Sequence, residues 1–295
     1  MSADRSGVLP VDKPEGPTSH DVVALARRAL GTRRIGHTGT LDPFASGLLL
    51  LCVGRATRLA EYLVGLPKTY VATVRLGTVT DTADPTGEVI GRSEGWRDLD
   101  EETILAAFAG QLGRIRQLPP AFSAKRVRGE RAYDRARRGE TVELAPVEVE
   151  ISRLDVLRIE LPDIDFEVEC SSGTYVRAIG RDVGEALGVG GHLTRLRRMK
   201  IGQHDVDAAV PVAKLDDPDA VRAAWLEPLA AVAHLPRLEV DGEALGRLRH
   251  GGAIAVHGEA PPPRAPVAIV HRGALAAIGE VDRGRVRPRK VFHDA

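Results

Sequence analysis

Cysteine is nearly missing from this 295-residue chain, which has only Cys52 and Cys170. Two thiols far apart in apolar or strand-like contexts suit reduced core thiols better than a disulfide framework or a zinc site. Long apolar runs are missing as well. No strictly apolar stretch, 48–53 included, exceeds six residues, against the ~20 that a membrane span needs. The opening MSADRSGVLPVDKPEG has no apolar signal core, so a cytoplasmic protein with no membrane partner is the expectation. Glycine and proline, 31 and 19 residues, are too few for a collagenous or disordered chain. Net charge is absent too, with 41 basic and 41 acidic side chains, which excludes a histone-like polycation.

The 43% apolar and 28% charged content is that of a globular protein. The length suits two domains, or one large domain with an appendage. The neutral sum hides an uneven distribution. Residues 112–139 carry nine bases and two acids, 192–200 four bases, and 283–290 five bases; 81–102 and 155–169 are net acidic. Such segregation lets one face meet phosphates while the whole stays neutral. It predicts a positive face with the two acidic stretches turned away from it.

Along the chain, Thr18 or Ser19 caps a helix with Val22, Val23, Ala26 and Leu30 at helical spacing, closed by Gly31. The 48–53 run reads as a buried strand and 56–64 as a helix. Residues 68–76 alternate, with Tyr70, Ala72, Val74 and Leu76 on one face of a half-buried strand. A helix starts near Asp100, 147–170 is strand broken at Pro162, 174–187 is helix, and another helix spans 220–233. The remainder, with short Val and Ile segments between turns, reads as a small β-rich unit. The crowded DTADPTG at 81–87, with Asp81 and Asp84, reads as a turn.

Two segments carry candidate chemistry. GHTGTLDPFASG at 36–47 packs four glycines, His37 and Asp42 just before the buried strand. It lacks the ending of a phosphate-binding loop, and an Asp before Pro is commonly a turn residue. CSSGTYVRAIGRDVGEALG at 170–188 places Tyr175 and Arg177 where strand gives way to helix. There an Arg can face a carboxylate and a Tyr can stack on a base, or they can be an ordinary surface Arg and a half-buried Tyr.

The blocks VDKPEGPTSHDVV, RRIGHTGTLDPFASGLLLLCVGRATRL, KTYVATVRLGTVTDTADPTGEV, QLPPAFSAKRVRGERAYDRARRGE and CSSGTYVRAIGRDVGEALGVGGHLTRLRR occur in that order over residues 8–205. In them the chain resembles the TruB family of tRNA pseudouridine synthases, which isomerise the T-loop uridine at tRNA position 55. The resemblance implies a mixed, mostly antiparallel sheet with flanking helices over 1–234, a thumb-like insertion at about 117–145, and a small PUA-like RNA-binding domain over 235–295.

It also implies residue roles. Asp42 matches the essential aspartate, Tyr70 the tyrosine that stacks on the base and is a candidate for removing the C5 proton, and Arg177 the arginine that pairs with the aspartate and keeps it ionised. His37, Tyr175, Leu196 and Lys13 match substrate-binding positions, with His37 filling the space a flipped base leaves. Lys125, Arg126, Arg128 and Arg131 fall in the thumb as backbone contacts. The implied partner is tRNA, with no obligatory protein partner, a monomeric state, no metal and no cofactor. None of the nine histidines has a ligand-spaced neighbour. A non-catalytic tRNA-binding or RNA-folding protein on the same scaffold is the alternative; it would require Asp42 to be replaced.

Overall fold

The computed structural model describes residues 6–120, 126, 127, 130, 131, 144–255 and 262–292. A ten-stranded sheet organises the larger part. Its long strands are β1 (Gly7–Lys13), β2 (Ser46–Val53), β3 (Lys68–Leu76), β4 (Gly113–Gln117), β5 (Val147–Glu160), β6 (Asp163–Cys170) and β7 (Gly191–Ile201). The order is β1-β2-β7-β3-β6-β5-β4, with the short Val210–Pro211 outside β1. Only β2 with β7, and β1 with Val210–Pro211, run parallel; the other pairs in this order are antiparallel.

The apolar run in β2 is continuous because both faces are covered. Leu48, Leu50 and Cys52 enter one apolar cluster, while Leu49, Leu51 and Val53 enter another. A strand buried on both sides has no alternation to show. β3 does alternate, its Tyr70, Ala72, Val74 and Leu76 facing a third cluster. Helix α1 (Ser19–Ala29) begins with a capping box: Asp21 N–H donates to Thr18 Oγ1 and Thr18 N–H to Asp21 Oδ2. Helices α2 (Ala60–Val64), α3 (Glu101–Ala109) and α4 (Val176–Ala186) complete the parts used below. Burial pushes the Cys52 thiol up to about 12 and that of Cys170 up to about 11, as befits inert core residues.

Three expectations need correction. Residues 220–233 do not form one helix but two short ones, Pro218–Ala224 and Pro228–Ala231. Between them Leu226 exchanges two 2.9 Å backbone hydrogen bonds with Val8, and Pro228 cannot continue a preceding helix. The basic stretch 192–200 is only in part an open cationic face: Arg197 grips Asp12 through two bonds and Arg198 is buried, while Arg195 and Lys200 stay exposed, Lys200 beside Asp205. The acidic stretch 81–102 is not wholly turned outward, since Asp84 is buried at the heart of the molecule.

A second, five-stranded sheet contains β8 (Pro266–His271), β9 (Ala274–Asp282) and β10 (Arg285–Val291), with Arg237–Glu239 and Ile254–Ala255 at its edges. It has an apolar cluster of its own, with Val267, Ile269, Val281 and Val286, and other residues of it join the core of the first sheet. Ala268, Ile278 and Phe292 share a cluster with Leu48, Leu50, Ala56 and Leu59, while Lys290 pairs with Glu61 and Arg58 donates to the Val291 carbonyl. No helix among the described residues is long and apolar enough to cross a membrane.

Candidate active site

Residues 38–45 form a loop between the short strand Ile35–His37 and β2, and Asp42 lies within it. Gly47 lets this loop end tightly. Its φ of +104° is open to glycine, and a Cβ there would collide with the backbone of Arg198 across the parallel β2–β7 pair. Arg198 itself is 1% exposed. Its guanidinium donates to the carbonyls of Leu48, Thr40 and Gly39 at 2.7, 3.4 and 3.1 Å, pinning the loop to the sheet.

Arg177 stands in the first turn of α4, whose amphipathic spacing buries Val176, Ile179 and Val183. Its Nε lies 3.0 Å from Asp42 Oδ2, and its Nη1 lies 2.9 Å from Asp84 Oδ2. One guanidinium thus bridges two carboxylates. Asp84 is 5% exposed at its side chain, and Thr82 Oγ1, Thr86 N–H and Thr86 Oγ1 all donate to its Oδ1. Such a set of donors stabilises a buried charge. Asp42 keeps 37% of its side-chain surface open, toward a cavity of about 140 Å³ lined by Leu41, Tyr70, Tyr175, Arg177 and Leu196 among others.

Withdrawal from water pushes the Asp42 carboxyl above its ordinary value, with Arg177 pulling it down and Asp84 adding to the rise. The expectation that an adjacent arginine simply keeps this aspartate ionised is therefore incomplete, because burial opposes the pull of Arg177. Tyr70 is 8% exposed, and burial raises its phenol as well, against the pull of the neighbouring Arg198. It meets the cavity as a neutral phenol with an apolar face. Leu196 supplies an aliphatic wall from β7, and Tyr175 a wall just before α4.

The structure thus brings together Asp42, Tyr70, Arg177, Tyr175 and Leu196. Lys13 does not line the cavity: it is fully buried, and its Nζ donates to the carbonyls of Pro14, Pro17 and Pro43 at 2.9, 2.8 and 3.4 Å. It braces the residue after Asp42, near enough for its charge to act on that carboxyl. Burial lowers its pKa to about 8. His37 is half-buried and does not line the cavity. Gly39 N–H donates to its Nδ1 at 3.3 Å, so the neutral ring carries its proton on Nε2, and burial lowers its pKa. Lys125 and Arg128 lie outside the described residues, and Arg126 and Arg131 are described only as backbone of two-residue strands.

Asp84 and Arg198 belong to the site but do not stand out as site residues in the sequence. Among turn formers, a buried acid looks like any other Asp, and in a basic run a buried Arg looks like its solvated neighbours. The usable signal for Arg177 is its place where strand gives way to helix, together with the family resemblance.

Comparison with known proteins adds a second kind of observation. Residues 27–176 match the model of the TruB family pseudouridylate synthase N-terminal domain, and 177–240 that of the tRNA pseudouridylate synthase B C-terminal domain. The chain is 46% identical to tRNA pseudouridine synthase B of Arthrobacter sp. (strain FB24), over 97% of this chain and 96% of that one. It is 45% identical to the protein of the same name from Thermobifida fusca (strain YX), over 97% and 98%. Among solved structures, an H/ACA ribonucleoprotein bound to a substrate RNA containing 2'-deoxyuridine superposes with a TM-score of 0.76 at 27% identity, covering 98% of this chain and 86% of that one.

Proposed function

Because the chain belongs to the TruB family of pseudouridylate synthases, we propose that it converts the T-loop uridine at tRNA position 55 to pseudouridine, with Asp42 acting on the flipped-out nucleotide. The observation that carries this reading is the Asp42–Arg177–Asp84 array at the floor of a cavity walled by Tyr70, Tyr175 and Leu196.

The reaction breaks the bond from C1′ to N1 of uracil, turns the base, joins C1′ to C5, releases the C5 proton and protonates N1. One proton leaves and one is taken up, so the product is an isomer of the substrate and no redox partner is consumed. The Asp42 carboxylate acts at the sugar as the base departs, either by bonding to it or by assisting elimination. Arg177 holds that carboxylate in place. Tyr70 and Leu196 retain the detached base by contact, stacking on an aromatic face being worth ~1–3 kcal/mol. Extrusion of the uridine precedes all of this, and His37, as a neutral Nε2–H donor, fills the space it leaves.

The reading is tested by tritium release from a tRNA transcript carrying C5-labelled uridines. Release is expected from the wild-type transcript and not from one with cytidine at position 55. Release that survives this change would overturn the assigned position.

A pH profile tests the electrostatics. Ionised Asp42 is the active form, so activity falls as pH drops through its pKa, and burial sets that acid limb above the ordinary carboxylate range. Asp84→Asn removes a charge that adds to the rise and is expected to move the limb of kcat/KM to lower pH. An unmoved limb would show that another group titrates there.

The thumb-like insertion and the second sheet are read as RNA contacts. Neutralising Arg126, Arg128 and Arg131 together is expected to weaken tRNA binding and flatten its salt dependence, by about 0.7–0.9 in log–log slope for each phosphate that no longer meets a cation. Equal slopes would remove the thumb from the interface. In β10, Arg285, Arg287 and Arg289 are exposed at alternate positions, the placement that lets one strand face follow a phosphate backbone.

A further inference from the structure

The residues at the start of α1 have no part in the chemistry above, yet they touch the 36–47 segment at two places. Ser19 is 1% exposed. Its Oγ accepts from Leu41 N–H at 2.8 Å and donates to the Leu41 carbonyl at 3.1 Å, so one hydroxyl holds both polar groups of the residue before Asp42. His20, the next residue, meets the ring of His37 edge-on, with centroids 5.9 Å apart and planes at 79°. Gly39 N–H holds Nδ1 of that same ring.

The turn that makes both contacts is itself fixed. The capping box ties Thr18 to Asp21, and Lys13 Nζ joins the carbonyl of Pro17, just before the helix, to that of Pro43, just after Asp42. We propose that the first turn of α1 is a two-point clamp in which Ser19 sets the backbone beside Asp42 and His20 sets the ring of His37. Both are positioning residues, and the inference rests on the roles given to Asp42 and His37 under the proposed function.

The two points make different demands on catalysis. A shift at Leu41 moves the Asp42 carboxylate relative to the sugar, which is felt in kcat, since reacting groups must lie within a few tenths of an ångström of their productive positions. A loose His37 ring weakens the grip on the opened RNA, which is felt in KM. His20 is exposed at a helix N-terminus, so replacing it leaves the core intact.

The experiment uses the full chain and a tRNA transcript, with kcat and KM from tritium release and a thermal melt for each variant. His20→Ala is expected to raise KM about three- to tenfold with kcat unchanged, and His20→Phe, which keeps an edge-on ring, to restore it. In a His37→Ala background His20→Ala is expected to change nothing further. Ser19→Ala is expected to lower kcat by about tenfold or more with KM unchanged. A His20→Ala protein that matches wild type, or whose effect multiplies in full with that of His37→Ala, overturns the clamp. Should Ser19→Ala fail to fold, the His20 cycle decides alone. A His37→Ala protein with normal KM, or an active Asp42→Asn protein, instead overturns the underlying roles.

Discussion

Asp42→Asn is expected to stop tritium release, lowering kcat by at least about 10³-fold while leaving tRNA bound as tightly as before. Asparagine keeps the shape of the side chain and an oxygen for Arg177 Nε, but offers neither a negative charge nor a nucleophilic carboxylate to the sugar. The fold has no need of that charge. Burial already pushes the Asp42 carboxyl toward its protonated form, and Asp84 remains to pair with Arg177. The melting temperature should therefore hold or rise while activity disappears. A variant retaining a tenth of the wild-type rate would remove Asp42 from the chemistry.

Arg177→Met is the second large effect, and it strikes both stability and rate. The guanidinium is 6% exposed at its side chain and bridges Asp42 to Asp84. Without it Asp84 is left as a buried carboxylate with no cation, a change that typically costs about 3–5 kcal/mol. Asp42 loses its largest opposing charge, so its pKa climbs further and the acid limb of the rate profile moves to higher pH. Adding Asp84→Asn is expected to recover much of the melting temperature and little of the rate. Recovery of both together would mean that Arg177 serves the fold alone. A wild-type melting temperature in the single variant would contradict the bridge.

How far the molecule can be read in advance follows from what each residue leaves in the sequence. The buried β2 is legible because an apolar run of that length between glycines has few other uses, and α1 because its cap and its period agree. Tyr70 is legible from alternation. Asp42 and Arg177 are ambiguous one at a time and become candidates through ordered blocks that resemble a family. Asp84 is hidden by turn chemistry, since its threonine neighbours serve a loop and a buried carboxylate equally well. Arg198 and Lys13 are hidden because a long cation that donates to buried carbonyls has the same letter as one in water. Local pattern reports burial of apolar groups well. Burial of charge depends on partners distant in the chain, as Arg177 does on Asp84.

The apolar cluster that Ala268, Ile278 and Phe292 share with Leu48, Leu50 and Leu59 means that the two sheets do not own separate stabilities. Truncation before β8 would take Ala268, Leu275, Ile278 and Phe292 out of the cluster that buries Leu48 and Leu50, on the strand that follows Asp42. The second sheet is thus the outer half of the wall that keeps β2 dry. Loss of residues far from the cavity in sequence would reach the loop that holds Asp42 through cooperative unfolding, with no bond to the cavity broken first.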